Sequence, residues 1–262
     1  MEYCKTAINF GRKNGYMSSG DSLLNGFWGV KAGYAAVMAS GLRFRPLPGD
    51  TPGSAAGAYE GYFKPQGMAY KEFVMSEQPH SDIIYEALRP GYNDFTALGR
   101  LAAPDAIITR KKNIPLGVFT ADCCPLLIYV PDAAAAAVHS GRQGAFLNIT
   151  GKTVKKLKEI CGAGAGDVFV SVGPAICGRC YEVGDKLLET FMRRHPDIEG
   201  AYDASLHTVD IRKVILRQLE EEGVPKENIS VTKLCTKETL YLPSFRRDKP
   251  GSDRIISYIM MS

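Results

Sequence analysis

Histidine is scarce in this 262-residue chain, which carries four. An oxidase that reduces oxygen by four electrons at several coppers needs many imidazole ligands. A cupredoxin-like multicopper enzyme is therefore excluded on ligand count. Tryptophan occurs once, as Trp28, and reads as a core residue rather than a surface for stacking a ligand. No apolar run reaches the roughly 18–20 residues of a spanning helix. Met1 to Arg12 has no apolar stretch of the signal-peptide kind, so a cytoplasmic setting and no membrane contact are expected. The seven cysteines are odd in number, so they cannot all pair within the chain. Their spacing shows no small-domain disulfide framework, which fits a reducing compartment. The net charge of +4 is too small and too diffuse to indicate nucleic acid, though it suits an anionic small substrate.

What is present is a chain that is 45% hydrophobic, enough for a sizeable core. Its most informative stretch runs from Phe119 to Gly144. Leu126 to Val130 is an apolar run of strand length, Pro131-Asp132 breaks it, and Ala133 to Val138 runs back. Such runs between turn residues suit strands buried on both faces. A hairpin closed at Pro131-Asp132 brings Cys123 and His139 together at one rim of a sheet. A thiolate and an imidazole so placed can be two ligands of zinc or copper, or a nucleophile with its base. They can also be a small buried thiol and a surface histidine. His80, after the strand-like Phe73-Val74-Met75, is the candidate third ligand. Three protein ligands with an open fourth position is the pattern of a catalytic zinc site.

Several short motifs in order resemble the laccase-domain family, also described as multicopper polyphenol oxidoreductases and as purine nucleoside phosphorylases. They are Gln78-Pro79-His80, Thr120-Ala121-Asp122-Cys123 with Pro125, and His139-Ser140-Gly141. Gly173 to Gly184, Cys235-Thr236 and Ser244-Phe245-Arg246-Arg247-Asp248 continue the series. The resemblance runs from about Phe73 to the end. Residues 1–65 of the expected single domain, 1–262, match poorly. It implies an α/β fold, a layered α/β/β/α sandwich with mixed sheets. It also implies a zinc site of His80, Cys123 and His139. One departure is Arg142-Gln143-Gly144, where the family has Trp-Arg-Gly, so Gln143 stands at the family's arginine position and an anion-binding role for this turn is in doubt.

The chemistry this allows is specific. Zinc polarises a carbonyl-like centre or lowers the pKa of bound water to roughly 7. Such a hydroxide can attack the amino-bearing carbon of adenine. Alternatively, phosphate attacks the ribose C1′ of a purine nucleoside. Phosphate needs cations, and Arg246 and Arg247 are the candidates because guanidinium forks match its oxygens. One of them can instead pair with Asp248 and fix the loop. Asp122 is a partner for a ligand histidine or a general acid/base. Gln78 binds substrate or holds the loop before His80. Zinc-dependent phosphorolysis of adenosine or inosine ranks first, with adenosine deamination beside it. Copper-dependent oxidation of phenols ranks second. A metal-free hydrolase with Cys123 as nucleophile and His139 as base is third, and a non-enzymatic binding role fourth.

Elsewhere the pattern predicts strands at Tyr70–Ser76, Asp82–Glu86, Asp167–Val172, Ile229–Cys235 and Ile255–Met261. Helices are expected at about 148–160, 184–194 and 208–222. Cys177-x-x-Cys180 lacks a second CxxC to complete a zinc knuckle, so these read as loop cysteines. His195 reads as a surface residue. The prolines and glycines of Arg45–Gly53 mark a loop.

Overall fold

Alternation along the buried strands decides the architecture. The computed structural model describes residues 10–13, 16–19, 30–37, 63–64, 67–69, 72–91, 103–249 and 252–262. In chain order the strands begin β1 (Phe10–Lys13), β2 (Tyr16–Ser19), β3 (Val30–Val37), β4 (Ile84–Glu86) and β5 (Ala106–Thr109). Next come β6 (Leu116–Thr120), β7 (Cys124–Val130), β8 (Ala134–Ser140), α1 (Arg142–Phe146), α2 (Ile149–Cys161) and β9 (Phe169–Val172). The chain closes with α3 (Asp185–Arg194), β10 (Tyr202–Asp203), β11 (Thr208–Val209), α4 (Ile211–Glu221), β12 (Ile229–Val231), α5 (Phe245–Asp248) and β13 (Ile255–Met261).

A six-stranded sheet has the order β12-β9-β7-β8-β5-β4, parallel at its two edges and antiparallel between. A five-stranded antiparallel sheet has the order β1-β2-β3-β13-β6. Successive side chains of a strand point to opposite faces. In β7, Leu126, Ile128 and Val130 therefore face a core shared with α2 and α4, while Leu127 and Tyr129 face the other sheet. The alanines of β8 split the same way, Ala134 and Ala136 from Ala135 and Ala137. This is the physical reason both strands read as continuous apolar runs. In β13, Ile255, Ile259 and Met261 point into the space between the sheets. Ile256, Tyr258 and Met260 point outward, where Phe63, Met68, Phe73 and Met75 cover them. The result is a mixed α/β fold in which a mixed six-stranded sheet, carrying the helices, stacks on an antiparallel five-stranded one.

The expected hairpin is present, with Asp132 at φ +55 in its turn. The helix expected at 148–160 forms as α2; Asn148 caps it through Gly151 N at 3.1 Å, and Gly162 at φ +62 ends it. Other expectations need correction. Tyr70–Ser76 forms no ladder strand among its described residues. Val74 makes an isolated bridge to Leu116, and His80 follows in a loop. The 208–222 segment starts as strand β11, because Thr208 and Val209 pair with Tyr202 and Asp203 before Asp210 caps α4. The edge strand β12 stops at Val231, although Thr232 N still donates to Val172 O at 3.0 Å, and the chain then reaches the cleft at Thr236, which bonds Asp122. His195 is half-buried against Phe146 and Phe191 rather than on the surface. Trp28 and the Arg45–Gly53 loop lie outside the described residues.

Candidate metal centre

The hairpin register builds the rim. Pro125 lies opposite His139 and Cys124 opposite Ser140, so Cys123 and His139 share one end of the β7–β8 ladder. His80 reaches the same rim through a tethered loop. The Gln78 side-chain amide donates to Phe119 O at 2.6 Å and accepts from Phe119 N at 2.7 Å, as a strand neighbour would. Two residues on, the backbone amides of His80 and Ser81 donate to the Asp105 carboxylate at 3.1 and 2.6 Å. These bonds hold Gln78 and His80 at φ +52 and +69, a left-handed conformation that non-glycine residues rarely adopt.

The ligand atoms of His80, Cys123 and His139 all lie within 4.8 Å of one another. Cys123 Sγ is 3.7 Å from His80 Nε2, and the two imidazole rings stand edge to face with centroids 4.9 Å apart. Asp105 completes the arrangement. Buried beneath the ligands, it meets His139 Nδ1 at 2.6 Å. That contact fixes the ring and leaves Nε2 to serve the centre. Burial alone would push the Cys123 thiol up, but His139 and then His80 draw it down to about 6. Burial alone would push His139 down, but the Cys123 sulfur and Asp105 raise it to about 9. A thiolate is thus favoured at neutral pH, the form in which cysteine ligates a metal. The donor set, two imidazoles and a thiolate with a carboxylate behind one ring, fits zinc. Gly141 is part of the fit: a Cβ there would stand 2.8 Å from both Cys123 Sγ and His80 Cδ2.

The centre opens into a cleft of about 600 Å³. Asp122, at φ +89, is turned away from the histidines. Its carboxylate accepts from Thr236 Oγ1 at 2.6 Å, Ser244 Oγ at 2.8 Å and Arg246 N at 2.6 Å. It anchors the N-terminus of α5 to the rim, and the carboxylate on a ligand histidine is Asp105. The two arginines separate cleanly. Arg247 pairs with Asp248 at 2.7 and 2.8 Å and donates to the carbonyls of Thr236, Lys237, Thr239 and Leu242. It is a clasp for the loop and does not line the cleft. Arg246 lines the cleft, with its guanidinium carbon 5.2 Å above the Tyr181 ring.

Reading the sequence missed Asp105 and Tyr181, and it noted Arg142 only as part of a turn whose anion-binding role was in doubt. Arg142, at the start of α1, lines the cleft beside Tyr181. Burial raises the Tyr181 hydroxyl, and Arg142 draws it back by charge and by a hydrogen bond. Asp105 carried a signal, an acidic residue just before an apolar strand. Its meaning depends on β5 pairing with β8, with Ala106 opposite Val138. The remaining histidines sit elsewhere: His195 on Phe146 and Phe191, and His207 paired with Asp185 at 2.9 Å.

A fold of a mixed and an antiparallel sheet stacked together, with a cluster of two histidines and a cysteine at a hairpin rim, defines the class. The chain belongs to the family described as multi-copper polyphenol oxidoreductase laccase, whose model matches residues 29–262. A Clostridium acetobutylicum protein named purine nucleoside phosphorylase is 35% identical over 197 residues, spanning 72% of this chain and 77% of that one. A protein from an unknown prokaryotic organism named adenosine deaminase is 32% identical over 181 residues, 65% of this chain and 68% of that one. The crystal structure of YlmD from Geobacillus stearothermophilus superposes with a TM-score of 0.81 at 23% identity, over 97% of this chain and 99% of that one. No helix among the described residues is long and apolar enough to cross a membrane.

Proposed function

We propose that this chain is a zinc-dependent purine nucleoside phosphorylase acting on adenosine and inosine in the cytoplasm. The observation that carries the reading is a three-ligand centre sharing one cleft with several cations, Arg142 and Arg246 among them. In phosphorolysis a phosphate oxygen bonds to ribose C1′ as the bond from C1′ to the base nitrogen breaks. The base departs with that electron pair and takes up a proton. Arg142 and Arg246 hold the phosphate oxygens, for which guanidinium forks are suited. Asp122 positions Arg246 through its backbone amide, and Gln78 and Asp105 position His80 and His139. When bound to His80, Cys123 and His139, zinc supplies a Lewis acid with an open coordination position. The relatives named purine nucleoside phosphorylase support this choice of reaction.

Adenosine deamination is the second reading, favoured by the relative named adenosine deaminase. There water adds at the amino-bearing carbon and ammonia leaves. Copper-dependent phenol oxidation has less support, because His195 and His207 lie on other partners and the histidines gather ligands for one ion. The test is metal content together with turnover of inosine and adenosine, with and without phosphate. About one zinc dependent on Cys123, with free base released only in phosphate, supports phosphorolysis. Ammonia without phosphate dependence selects the deaminase. Copper with oxygen uptake on phenols, or a metal-free enzyme killed by thiol alkylation, overturns the zinc reading.

A further inference from the structure

A second group of metal-ligating side chains lies apart from the His80–Cys123–His139 centre. Cys177, Cys180, Cys235 and Glu238 each bring one ligand atom to within 4.8 Å of the others. They come from two short elements with the same internal spacing, Cys177-Gly178-Arg179-Cys180 and Cys235-Thr236-Lys237-Glu238. Each is closed as a turn: Cys180 N donates to Cys177 O at 3.0 Å, and Thr239 N to Cys235 O at 2.9 Å. The two elements are also joined, by a bridge between Ala175 and Cys235 and by Thr236 N donating to Ala175 O at 3.2 Å. This is the layout of two facing knuckles, with a carboxylate in the last position. It explains why the CxxC looked incomplete in the sequence, where its counterpart is a CxxE.

We propose that Cys177, Cys180, Cys235 and Glu238 form a structural site for a zinc-like divalent cation. A tetrahedral zinc with bonds of about 2.3 Å to sulfur has ligand atoms separated by about 3.8 Å. The cluster stands within a small adjustment of that spacing. Cys177 N donates to Cys235 Sγ at 3.3 Å, as it would to a bound thiolate, and the Cys180 thiol donates to Glu238 Oε1 at 3.5 Å, a shared proton that a dication would replace. Three thiolates and a carboxylate leave an excess of negative charge around a dication. The Arg179 guanidinium offsets it, at 3.1 and 3.4 Å from the two Glu238 oxygens. Cys180 and Cys235 are buried, Cys177 is half-buried and Glu238 is exposed; four protein ligands leave no open position, as in structural zinc sites. A disulfide would use two sulfurs and leave the third sulfur and the carboxylate without a purpose.

The site would tie together the two segments that wall the cleft. Tyr181 follows the first knuckle directly, and Thr236 of the second hydrogen-bonds Asp122. The proposal does not depend on which reaction the first centre runs.

The experiment is zinc content by elemental analysis on intact, zinc-reloaded protein, comparing wild type with Cys123→Ser, Cys177→Ser and Glu238→Gln. The expected result is about two zinc ions per chain in wild type and about one in each cysteine variant. Glu238 is exposed, so Glu238→Gln keeps the fold and should weaken the second zinc at least tenfold against a competing chelator. In Cys123→Ser a chelator should still lower the melting temperature, and cobalt should still give a thiolate charge-transfer band. If Cys123→Ser holds no metal, or Cys177→Ser holds as much as wild type, the proposal fails. A disulfide within the cluster, seen by mass spectrometry in freshly purified protein, also overturns it. Failure of the first centre reads differently: Cys123→Ser would then match wild type while Cys177→Ser lost metal.

Discussion

Asp105 shows how much one buried carboxylate does at the residue scale. It accepts from the ring of His139, the backbone of His80 and both the backbone and hydroxyl of Ser81. Replacing it with alanine frees both histidines of the proposed zinc site at once. The expected result for Asp105→Ala is a 10–100-fold loss of zinc affinity, the usual size of an outer-shell effect. Competition with a chromogenic chelator measures it, and an unchanged affinity would show that the histidines hold their own positions. Gly141→Ala attacks the same centre by volume. Its Cβ would meet Cys123 and His80 at 2.8 Å on two sides, and neither can retreat without leaving the other. Zinc content should fall well below stoichiometric while far-UV circular dichroism stays that of wild type. Asp105 was not legible in the sequence because its link to His139 passes through a strand pairing between distant segments. Cys123 and His139 were legible because one tight hairpin joins them.

Elements differ in how plainly they announce themselves, and the reason is burial. The strands β7, β8 and β13 are buried on both faces, so their sequences are continuous apolar runs. The segment around His80 has no such run. Its shape comes from Gln78 and Asp105, whose partners are Phe119 and His139, and the expected strand there became a loop with a single bridge. The loop before α5 is another element built by polar contacts, with Arg247 as its clasp. Arg247 also holds the Asp248 carboxyl below its ordinary range, chiefly through their hydrogen bonds. A depressed folded pKa gives stability that is present above the unfolded carboxylate pKa of about 4. That stability is lost as pH falls through the lower folded value. Asp248 is about a third exposed, so solvent weakens the increment. Arg247→Ala should remove this part of the acid dependence below about pH 4. It should also release Arg246 from its place over Tyr181, raising KM for phosphate more than that for the nucleoside. Equal changes in both would mean that the clasp has no bearing on the cleft.

At the scale of the whole molecule, two sheets must stay in register for the rim residues to meet. Tyr34 of β3 is a cross-link between them: its hydroxyl meets Ser171 Oγ at 2.8 Å and Ser171 O at 3.0 Å, on β9 of the other sheet. The ring is fully buried, and burial pushes its hydroxyl well above the ordinary tyrosine range, so it stays neutral and able to donate. Just beyond β9, Gly173 has no room for a side chain, since a Cβ would meet the Tyr34 ring and lie 2.8 Å from Pro125 Cγ. Pro125 is two residues from Cys123, so this packing ties the sheet interface to the proposed metal ligand. The two contacts predict different outcomes. Tyr34→Phe keeps the ring and removes the hydroxyl, leaving Ser171 buried without that partner. It should cost about 1–3 kcal/mol, or roughly 2–4 °C of melting temperature for each kcal/mol. Zinc affinity should not change. Gly173→Ala must displace Tyr34, Pro125 or both, so it should lower stability and zinc affinity together. Melting in excess chelator isolates the fold from the stabilisation that bound metal adds, and chelator competition reads the centre alone. If Tyr34→Phe weakens zinc as much as Gly173→Ala does, the coupling runs through the alignment of the sheets as a whole and not through the Gly173–Pro125 contact.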